Sequence, residues 1–370
     1  MLIKDIQITR HELEIKPPFP SSWDPRPLKT WQTTIVRVMA DNGMVGIASG
    51  DAMIGFERYK DLFVGEDAFD FDRHNRILDS ISLFASRCWP LDLALWDLYG
   101  KAKDKPVYEL LGGDSGVVPL YASTGTVRPP NELAEQACRI RDMGFKAIKF
   151  RVGRRALDED VEALRAVRKA LGDGIEIMID ANQAWRMPWD TSDWWTYDDA
   201  RLMIDKTREL NLYWLEEPLH RGDFEGLRKL RSISDGPRIA SGEMNTEYYE
   251  LRYLMSSGCL DVLQTDCVYF GGITGLAAVA KQSKALGVTF SPHTWGNGIG
   301  LLANAHLAAG TGAPPYLEYA IDPPEWTLEE RDFMLTGPVM HDGNGSLDLG
   351  TRPGLGIELD EDILNSTRIR

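Results

Sequence analysis

Residues 146–182 read KAIKFRVGRRALDEDVEALRAVRKALGDGIEIMIDAN, and this stretch decides the fold class. Its two ends, KAIKFRV and EIMIDAN, are short apolar segments of the kind that form buried strands. The segment between them has apolar residues at helical spacing and is long enough to be a crossover helix. The stretch therefore predicts a strand–helix–strand unit with two parallel strands.

Strand candidates of this kind recur eight times along the middle of the chain. Their centres are about 28 residues apart, which matches the repeat of a (β/α)8 TIM-type barrel. One interval is longer, because RMPWDTSDWWTYD is inserted after the third strand. We therefore expect an α/β barrel over residues 116–322. The eight candidates are VPLYAST (118–124), KAIKFRV (146–152), EIMIDAN (176–182), LYWLEEP (212–218), RIASGE (238–243), DVLQTD (261–266), VTFSPHT (288–294) and PPYLEYA (314–320).

The chain on either side of this repeat has a different pattern. The strand candidates IKDIQITRHELEI and TTIVRVMADNGMVGIASG precede a helical stretch, which predicts an N-terminal α+β domain over residues 1–115. After the eighth strand the alternation stops. We expect residues 323–370 to return to the N-terminal domain, with a strand-like GIEL at 356–359.

A proline-rich segment, KPPFPSSWDPRPLKT (16–30), separates the first two strand candidates. Proline lacks a backbone N–H and fixes φ, so the segment cannot be a core strand or helix and is predicted to be a loop. Because of its length and its residues Trp23 and Arg26, it is a candidate lid over a pocket. The alternative is an inert surface excursion.

Composition and charge exclude several classes of protein. The chain has 370 residues, with 41 Lys and Arg against 56 Asp and Glu, and a net charge of −15 at pH 7. So acidic a surface repels phosphate backbones, which argues against a nucleic-acid partner. An anionic substrate would require a concentrated local positive charge.

Targeting and cysteine signals are also missing from the sequence. No apolar run approaches the roughly 18 residues that span a bilayer, and MLIKDIQITR lacks the pattern of a signal peptide. The four cysteines show no CxxC spacing, which argues against a zinc ribbon or redox motif. We expect a soluble cytoplasmic protein with reduced thiols and no membrane partner.

Polar and charged residues stand at the carboxyl ends of seven consecutive strand candidates, where a barrel interior is usually apolar. One acid at a strand end is more often a surface ion pair than a ligand. Seven in a row are hard to explain structurally, because crowded like charges destabilise a fold. This end of the barrel is also where catalytic residues lie, so the pattern predicts an enzyme. The residues are Lys149, Arg151, Asp180, Asn182, Glu216, Glu217, Glu243, Asp266, His293 and Glu318.

Three of these acids, Asp180, Glu216 and Glu243, form a candidate metal site on adjacent strands. Hard carboxylates at one point repel each other unless a divalent cation lies between them, and all-oxygen ligation favours Mg²⁺. Asn182 faces the same side of its strand as Asp180 and is expected to support the ligands. Glu217 alternates to the other side, so we expect it to be structural and paired with a cation of the barrel wall.

Asp266 and His293, on neighbouring strands, predict a general-base dyad. An aspartate that fixes the tautomer of a histidine also raises its basicity. The alternative is a structural ion pair near the surface. His306 is predicted to be a packing residue on a helix. The other histidines, which have no comparable context, are His11, His74, His220 and His341.

Together these motifs closely resemble the enolase superfamily, and within it the mandelate racemase subgroup of the mandelate racemase and muconate lactonizing enzyme family. The resemblance covers almost the whole chain. No motif alone is specific, but the set in this order is. It comprises LDLALWDLYGKAKDKPVYELLGG, KFR at 149–151 in place of the family's Lys-x-Lys, IDAN, WLEEP, SGE, TDCVYFGGITG, SPHTWGNGIG, YLEYA and PGLGIEL.

The resemblance implies an enzyme with one Mg²⁺ per subunit that removes the proton α to a carboxylate and stabilises the resulting enediolate. It implies the metal ligands and the base dyad already named, and a hydrogen bond from Glu318 to the enediolate. Glu318 must be protonated to donate that bond, so we expect neighbouring carboxylates to raise its pKa. Lys149 is expected to be a cation that stabilises the developing charge.

The resemblance also implies that the N-terminal domain caps the barrel. Its loops near 17–30 and 50–56 would choose the substrate, a small-molecule carboxylate, with Trp23, Arg26 and Trp295 as candidate residues around it. The family usually assembles into symmetric homo-oligomers, so we expect one here.

Arg151 departs from the family pattern, in which the second lysine of Lys-x-Lys is usually a base. Arginine keeps its proton, with a pKa above about 12, and is a poor proton acceptor. Racemisation needs a base on each face of the α carbon. Dehydration needs only one, because His293 can take the α proton and deliver it to a β-hydroxyl on the same face. Arg151 would then hold substrate oxygens with its planar fork.

We therefore predict a lyase, a hydro-lyase that dehydrates a polyhydroxy (sugar) acid to a 2-keto-3-deoxy acid in carbohydrate acid catabolism. The Trp after the histidine in SPHTWGNG is similar to that of sugar-acid members. The alternative is an isomerase that racemises, epimerises or cycloisomerises a hydroxy acid or lactone through the same intermediate. Asp266 stands where the muconate-lactonising and dipeptide-epimerase branches have a lysine, which argues against both. A remote alternative is a non-catalytic binding protein on a degenerate barrel.

Overall fold

The computed structural model describes residues 1–312 and 314–369. Its N-terminal part is an antiparallel sheet followed by helices, as expected for an α+β unit. The strands are β1 (Ile3–Phe19), β2 (Leu28–Ala40) and β3 (Val45–Gly50). Two 3₁₀ turns (Phe56–Arg58 and Lys60–Leu62) then lead to α1 (Phe71–Ile81), α2 (Pro90–Lys103) and α3 (Val107–Leu110).

The sheet and α2 are in close contact at Gly46 of β3. A Cβ atom on Gly46 would lie 2.1 Å from the carbonyl oxygen of Ala94, so a glycine is needed for the two backbones to approach. Helix α2 begins with Pro90 at its first position, where no N–H is needed for the helical ladder. This packing fixes the sheet against the helix that precedes the barrel.

The proline-rich segment is only partly a loop, so that prediction is wrong at both ends. β1 runs through Pro17 and Pro18 to Phe19, and β2 already begins at Leu28. The pairing of β1 with β2 is regular from Asp5 to Glu14 and is then irregular until Phe19. The prolines therefore lie where the ladder is interrupted and their missing N–H groups are not needed.

Eight parallel strands form the barrel; seven lie within the predicted segments, and β4 begins one residue before its segment. Neighbouring strands follow the order β10-β9-β8-β7-β6-β5-β4-β11. The strands are β4 (Val117–Ser123), β5 (Ala147–Arg151), β6 (Glu176–Asp180), β7 (Trp214–Glu216), β8 (Arg238–Ser241), β9 (Val262–Leu263), β10 (Thr289–Phe290) and β11 (Leu317–Ala320).

Side chains join the two ends of this curled sheet. Ser291 Oγ donates to the carbonyl oxygen of Tyr316 at 2.7 Å, and Thr294 Oγ1 donates to that of Glu318, also at 2.7 Å. The fold is thus a (β/α)8 barrel with a capping sheet. The connecting helices are α4 (Pro130–Asp142), α5 (Leu157–Leu171), α6 (Tyr197–Lys206), α7 (Phe224–Arg231), α8 (Tyr248–Ser256), α9 (Gly272–Ala285) and α10 (Gly298–Thr311).

The C-terminal segment returns to the N-terminal part, but through a different strand from the predicted one. It contains α11 (Leu328–Arg331), β12 (Ser346–Asp348), α12 (Glu361–Thr367) and β13 (Arg368–Ile369). β13 pairs with β1, whereas residues 356–359 contribute only an isolated bridge at Leu359. Within GIEL, the carbonyl oxygen of Glu358 accepts a hydrogen bond from Thr336 N at 3.0 Å. The preceding Leu355 N donates to Asp97 Oδ1 on α2 at 2.8 Å. The domain boundaries at 115 and 322 stay predictions. Within residues 1–312 and 314–369, no helix has the length and hydropathy to cross a membrane.

Candidate active site

The barrel interior consists of an apolar layer with a charged layer directly above it. Alternate residues of a strand face the same side, so the residue two positions further along each strand enters the next layer. Lys149, Asp180 and Glu216 occupy that next layer on β5, β6 and β7, and each is fully buried. The apolar layer below comprises Tyr121, Ala147, Met178, Trp214, Ala240 and Val262.

Lys149 lies at the centre of the charged layer. Its Nζ is 2.6 Å from Glu216 Oε1, 2.9 Å from Glu318 Oε1 and 3.6 Å from Asp180 Oδ2. Burial alone would lower the pKa of Lys149, but the carboxylates of Glu216 and Glu318 raise it above its usual value. Lys149 is therefore a permanent cation within contact of three acids.

Arg151 follows Lys149 on the same face of β5, and the protein itself occupies most of its donors. Its Nη1 donates to Asp180 Oδ2, its Nε to the carbonyl oxygen of Thr124 at 2.7 Å, and its Nη2 to Ser123 Oγ at 3.3 Å. The expected clamp on substrate oxygens has few donors left for that purpose. The ion pair with Asp180 is the main contact of Arg151 in this structure.

Glu243 and His293 face each other across the site. Glu243 Oε2 is 3.5 Å from His293 Nε2, and Glu243 Oε1 accepts a bond from Trp185 Nε1 at 2.8 Å. Burial raises the pKa of Glu243, an effect that His293 opposes and Asp180 reinforces. Glu243 is thus held between an indole donor and the imidazole.

Glu217 is not paired with a cation of the barrel wall, so that prediction is wrong. It is buried, and neither of its carboxylate oxygens has a hydrogen-bond partner among the residues that the structure describes. Its φ is 44°, a left-handed backbone that interrupts the strand alternation on which the prediction depended. Burial, then Glu243 and Asp180, raise the pKa of Glu217 well above its usual value. Glu217 is therefore a further buried acid near Glu243 and Asp180.

Asp266 and His293, the predicted dyad, are within hydrogen-bond distance of each other. His293 Nδ1 is 3.1 Å from Asp266 Oδ2, which leaves Nε2 facing Glu243. The other oxygen, Asp266 Oδ1, accepts bonds from Val268 N at 2.8 Å and from Asn304 Nδ2 at 2.7 Å. Glu243, Glu318 and Asp266 outweigh burial and raise the pKa of His293 to about 10.

The sequence analysis missed two buried amides that orient these acids. Asn304, on α10, fixes Asp266, and Gln264 Nε2 donates to Glu216 Oε2 at 2.8 Å. The one available signal for Asn304 is a polar residue inside GIGLLANAHLAAGT, a helix that is otherwise almost entirely apolar. For Gln264, the signal is strand alternation: Gln264 lies two residues after Val262, which belongs to the inward apolar layer, so it faces the same side.

Glu318 differs from the expectation that its pKa is raised. Burial has that effect, but Lys149, His293 and Arg151 together lower the pKa of Glu318 below its usual range. Its Oε2 accepts a bond from the backbone N–H of Thr294 at 2.7 Å. In this arrangement Glu318 is an ionised acceptor, because Lys149 contacts it directly.

The donor chemistry of the site fits a hard dication. Six buried carboxylates face only two permanent cations and one histidine, and both Glu217 oxygens are unpartnered. Oxygen donors with excess negative charge are what Mg²⁺ requires. No group of three or more such ligands is already arranged to hold a metal among residues 1–312 and 314–369. Lys149 and Arg151 instead contact oxygens of Glu216 and Asp180. The carboxylates are Asp180, Glu216, Glu217, Glu243, Asp266 and Glu318.

The proline-rich loop covers the mouth of the barrel, which favours the lid interpretation. Ser22 Oγ donates to Asn182 Oδ1 at 3.2 Å, so the loop contacts a residue next to Asp180. Trp23 lies 4.8 Å from Trp295, edge to face, and the Arg151 guanidinium is 5.0 and 5.1 Å from the centroids of these two rings. Trp23, Asn182 and Trp295 therefore lie around the charged layer.

Arg26 does not reach the site, contrary to the prediction. It is exposed, and its guanidinium stacks on the ring of Trp189, 4.4 Å from the centroid. Trp189 belongs to the segment inserted after the third barrel strand, and its Nε1 donates to Asp24 Oδ1 at 2.7 Å. Arg26 thus attaches the lid to the outside of the barrel.

A cavity of about 280 Å³ lies between the capping sheet and the barrel, beside the dyad. Asp266, Thr294 and Trp295 line it from the barrel. From the capping sheet it is lined by Arg10, Trp31, Gln32, Thr33, Thr34 and the segment Gly50–Ala52. This volume is just under the range of about 300–1,000 Å³ typical of pockets for drug-sized ligands, so it suits a small molecule.

Comparison with known proteins adds family information to this geometry. A family model described as "Enolase C-terminal domain-like" matches residues 132–363. Arabinonate dehydratase of Saccharolobus solfataricus is 29% identical over 76% of this chain and 71% of its own length. L-talarate/galactarate dehydratase of Salmonella typhimurium is 28% identical over 93% of this chain and 84% of its own length. Hydrophobic dipeptide epimerase of Enterococcus faecalis is 26% identical over 96% and 99%.

Solved structures give the same result over the whole chain. A racemase from Streptomyces coelicolor with bound magnesium superposes with a TM-score of 0.85 at 26% identity, covering all of both chains. The 3,6-anhydro-D-galactonate cycloisomerase of Zobellia galactanivorans superposes with a TM-score of 0.84, also at 26% identity and over all of both chains. The shared architecture therefore includes the cap as well as the barrel.

Proposed function

This chain belongs to the Enolase C-terminal domain-like family, and from that premise we propose that it is a Mg²⁺-dependent dehydratase of a polyhydroxy acid. The observation that carries the proposal is the asymmetry of the charged layer. His293, paired with Asp266, stands on one side, and on the other the family's second lysine is Arg151, which is bound to Asp180. Only one side of the site has a side chain that can release and take up a proton, because the guanidinium of Arg151 stays protonated. Bound Mg²⁺ would offset the carboxylates that raise the pKa of His293.

Asp180, Glu216 and Glu243 would hold the metal, because all three are buried carboxylates and the charged layer has too few protein cations to neutralise them. When bound, Mg²⁺ supplies positive charge where negative charge develops on the substrate carboxylate. The three residues differ in their other partners, which are Lys149 for Glu216, Arg151 for Asp180 and Trp185 for Glu243. Magnesium bound to solved relatives supports this assignment.

His293 is the proposed base. With Nδ1 held by Asp266, its Nε2 is the free nitrogen, and it takes the proton from the α carbon while the C–H electron pair passes into the enediolate. Lys149, fully buried and protonated, stabilises the negative charge that results. Glu318, which contacts Lys149 and accepts from Thr294 N, is proposed to position Lys149 beside the substrate carboxylate.

The same histidine completes the dehydration. Its new proton passes to the β-hydroxyl, the C–O bond breaks with its electron pair on oxygen, and water leaves. The remaining enol takes a proton at the β carbon and becomes a 2-keto-3-deoxy acid. One base on one face suffices for every step, whereas racemisation needs a second base where Arg151 stands.

The relatives support both this reaction and its main rival. Three of them are named as dehydratases of arabinonate, talarate or galactarate, and gluconate, which are polyhydroxy acids. Others are named as a dipeptide epimerase, lactone or anhydrosugar-acid cycloisomerases, and an N-succinyl amino-acid racemase. All these identities are between 24% and 34%, so the substrate of this chain is not read from any one of them.

A screen of aldonic and aldaric acids tests the proposal. The purified protein with Mg²⁺ is incubated with each acid, and semicarbazide detects any 2-keto-3-deoxy product. We expect product from at least one acid, and none from the same acid with Glu216→Gln. An epimer, a racemate or a rearranged lactone without any keto product would assign the chain to the isomerase rival instead.

A further inference from the structure

The cavity beside the dyad contains an arginine that forms no ion pair within the part of the chain that the structure describes. Arg10, on β1, lines the cavity, and its Nε donates to the carbonyl oxygen of Ala52 at 3.1 Å. Among residues 1–312 and 314–369, no carboxylate lies within ion-pair distance of Arg10. An arginine held by one carbonyl keeps further N–H donors for an anion.

The two acids that line the same cavity are already balanced. Asp51 pairs with Arg87, whose guanidinium also stacks on Tyr269 at 4.4 Å. Asp266 is held by His293, by a backbone N–H and by an amide, as described above. The residual charge of the cavity wall is therefore the positive charge of Arg10.

The rest of the wall is polar. It includes Gln32, Thr33 and Thr34 from β2, with Thr294 and Asn297 from the barrel. Thr33, Thr294, Asn297 and the amide nitrogen of Gln32 also bond protein partners. Such groups donate and accept hydrogen bonds but carry no charge. A polyhydroxy chain with one end at the dyad would share this cavity with Arg10.

We propose that Arg10 binds a second anionic group at the far end of the substrate, so that the preferred substrates are doubly anionic polyhydroxy acids. The group is a carboxylate, as in an aldaric acid, or a phosphate ester. This inference rests on the proposed function, since it assigns the substrate class of the same site. The acidic chain then carries one cationic anchor at each end of its ligand, Lys149 at the dyad end and Arg10 at the cap.

Binding to a variant that cannot turn over tests the inference without depending on the reaction. His293→Asn, with Mg²⁺, is titrated calorimetrically with three acids of one configuration: gluconate, glucarate and 6-phosphogluconate. The pair galactonate and galactarate is measured in the same way. We expect at least one doubly anionic acid to bind about tenfold to a hundredfold more tightly than its singly anionic match, as for a charged hydrogen bond.

Removing Arg10 should abolish that preference. In His293→Asn with Arg10→Gln, the two members of each pair should bind within about threefold of each other, because the neutral amide has no charge to offer. The matched control is Lys4→Gln, an exposed cation on the same strand, which should leave the preference unchanged. Glucarate against 6-phosphogluconate then distinguishes a carboxylate from a phosphate partner.

Three results would overturn the inference: no doubly anionic acid that binds more tightly than its match, a preference that survives Arg10→Gln, or equal loss in the Lys4→Gln control. Failure of the proposed function has a different signature. In that case the binding preference persists, while the wild-type protein forms no keto product from the preferred acid.

Discussion

Two buried cations distinguish this site from a simple acidic pocket. Lys149 contacts three carboxylates, and Arg151 forms an ion pair with one of them, Asp180. Positive charge is therefore fixed where the proposed substrate anion would enter. Residue types at strand ends were enough to predict these positions, because alternate residues of a parallel strand share a face. Residue types alone could not predict that the pKa of Glu318 is lowered, because the shift depends on contacts made across the barrel.

His293→Asn tests the base at the residue scale. Removal of a positioned general base typically costs about 10²–10⁴-fold in rate, and we expect kcat to fall by at least that factor. Mg²⁺ affinity should remain within about threefold, since the asparagine stays outside the proposed ligand set. The keto-acid assay measures the fall in kcat, and calorimetric titration with Mg²⁺ measures the affinity for the metal.

His220→Asn is the matched control, because His220 is exposed and lies outside the charged layer. It should keep wild-type kcat. Retained turnover in His293→Asn would remove the dyad from the mechanism.

Arg151→Ala tests the buried ion pair with Asp180. Breaking one partner of a buried pair leaves an uncompensated charge and typically costs about 3–5 kcal/mol. We expect the free energy of unfolding, measured by urea denaturation in EDTA, to fall by that amount. The control Arg26→Ala should cost less than about 1 kcal/mol and keep full activity, because Arg26 is exposed on Trp189. Equal effects of the two substitutions would contradict the assigned positions.

At the scale of elements, all eight barrel strands could be located from the sequence, but their lengths could not. β9 and β10 contain only two residues each, whereas the predicted segments run three and four residues further toward the site. The chain leaves the ladder once it rises above the apolar layer, and the catalytic candidates Asp266 and His293 lie just beyond it. Glu217 was misassigned for a related reason, since a left-handed residue at the end of β7 is invisible in a strand pattern.

Gly46 provides a test of how the capping sheet packs on α2. Gly46→Ala would place a Cβ atom against a backbone carbonyl, which cannot move like a flexible side chain. We expect the free energy of unfolding to fall by about 3 kcal/mol, the upper part of the usual range for overpacking. Gly174→Ala, where a Cβ would meet nothing within 4 Å, should change it by less than about 0.5 kcal/mol. Similar changes in unfolding free energy for the two substitutions would show that β3 and α2 are not in tight contact at Gly46.

His306 links α10 to α3 and gives the fold a pH dependence. Its Nδ1 accepts a bond from the backbone N–H of Tyr108 at 3.1 Å, and burial lowers the pKa of His306 to about 3. Between that value and the ordinary pKa near 6.5, the unfolded chain binds a proton that the folded chain does not. Stability from this group is therefore complete above pH 6.5 and is lost as the pH falls, by about 1.4 kcal/mol per pH unit.

The measurement is the difference between wild type and His306→Asn, which keeps an acceptor but cannot titrate. Unfolding free energies at pH 6, 5 and 4 should fall more steeply in the wild type, by about one proton per molecule. Identical slopes would mean that His306 is protonated in the folded protein. The comparison is needed because other buried groups act oppositely, for example Asp92, whose pKa burial raises to about 6.

At the scale of the whole molecule, a chain with a net charge of −15 gathers its functional cations in one place. Lys149 and Arg151 stand inside the barrel mouth, and Arg10 reaches the adjoining cavity from the cap. The sequence predicted the barrel, the cap and the returning tail, because each has its own periodicity. The cavity could not be predicted, since it forms between segments that are more than 200 residues apart in the chain, such as Arg10 and Asp266.

The most direct test of the account follows the α proton and the product together. The protein with Mg²⁺ is incubated in D₂O with the acids that it binds, and proton NMR records both substrate and product. The account predicts a 2-keto-3-deoxy acid that carries deuterium at its new methylene carbon, formed with Mg²⁺, lost in EDTA and absent with His293→Asn. Deuterium at the α carbon of recovered, epimerised substrate with no keto acid would contradict it.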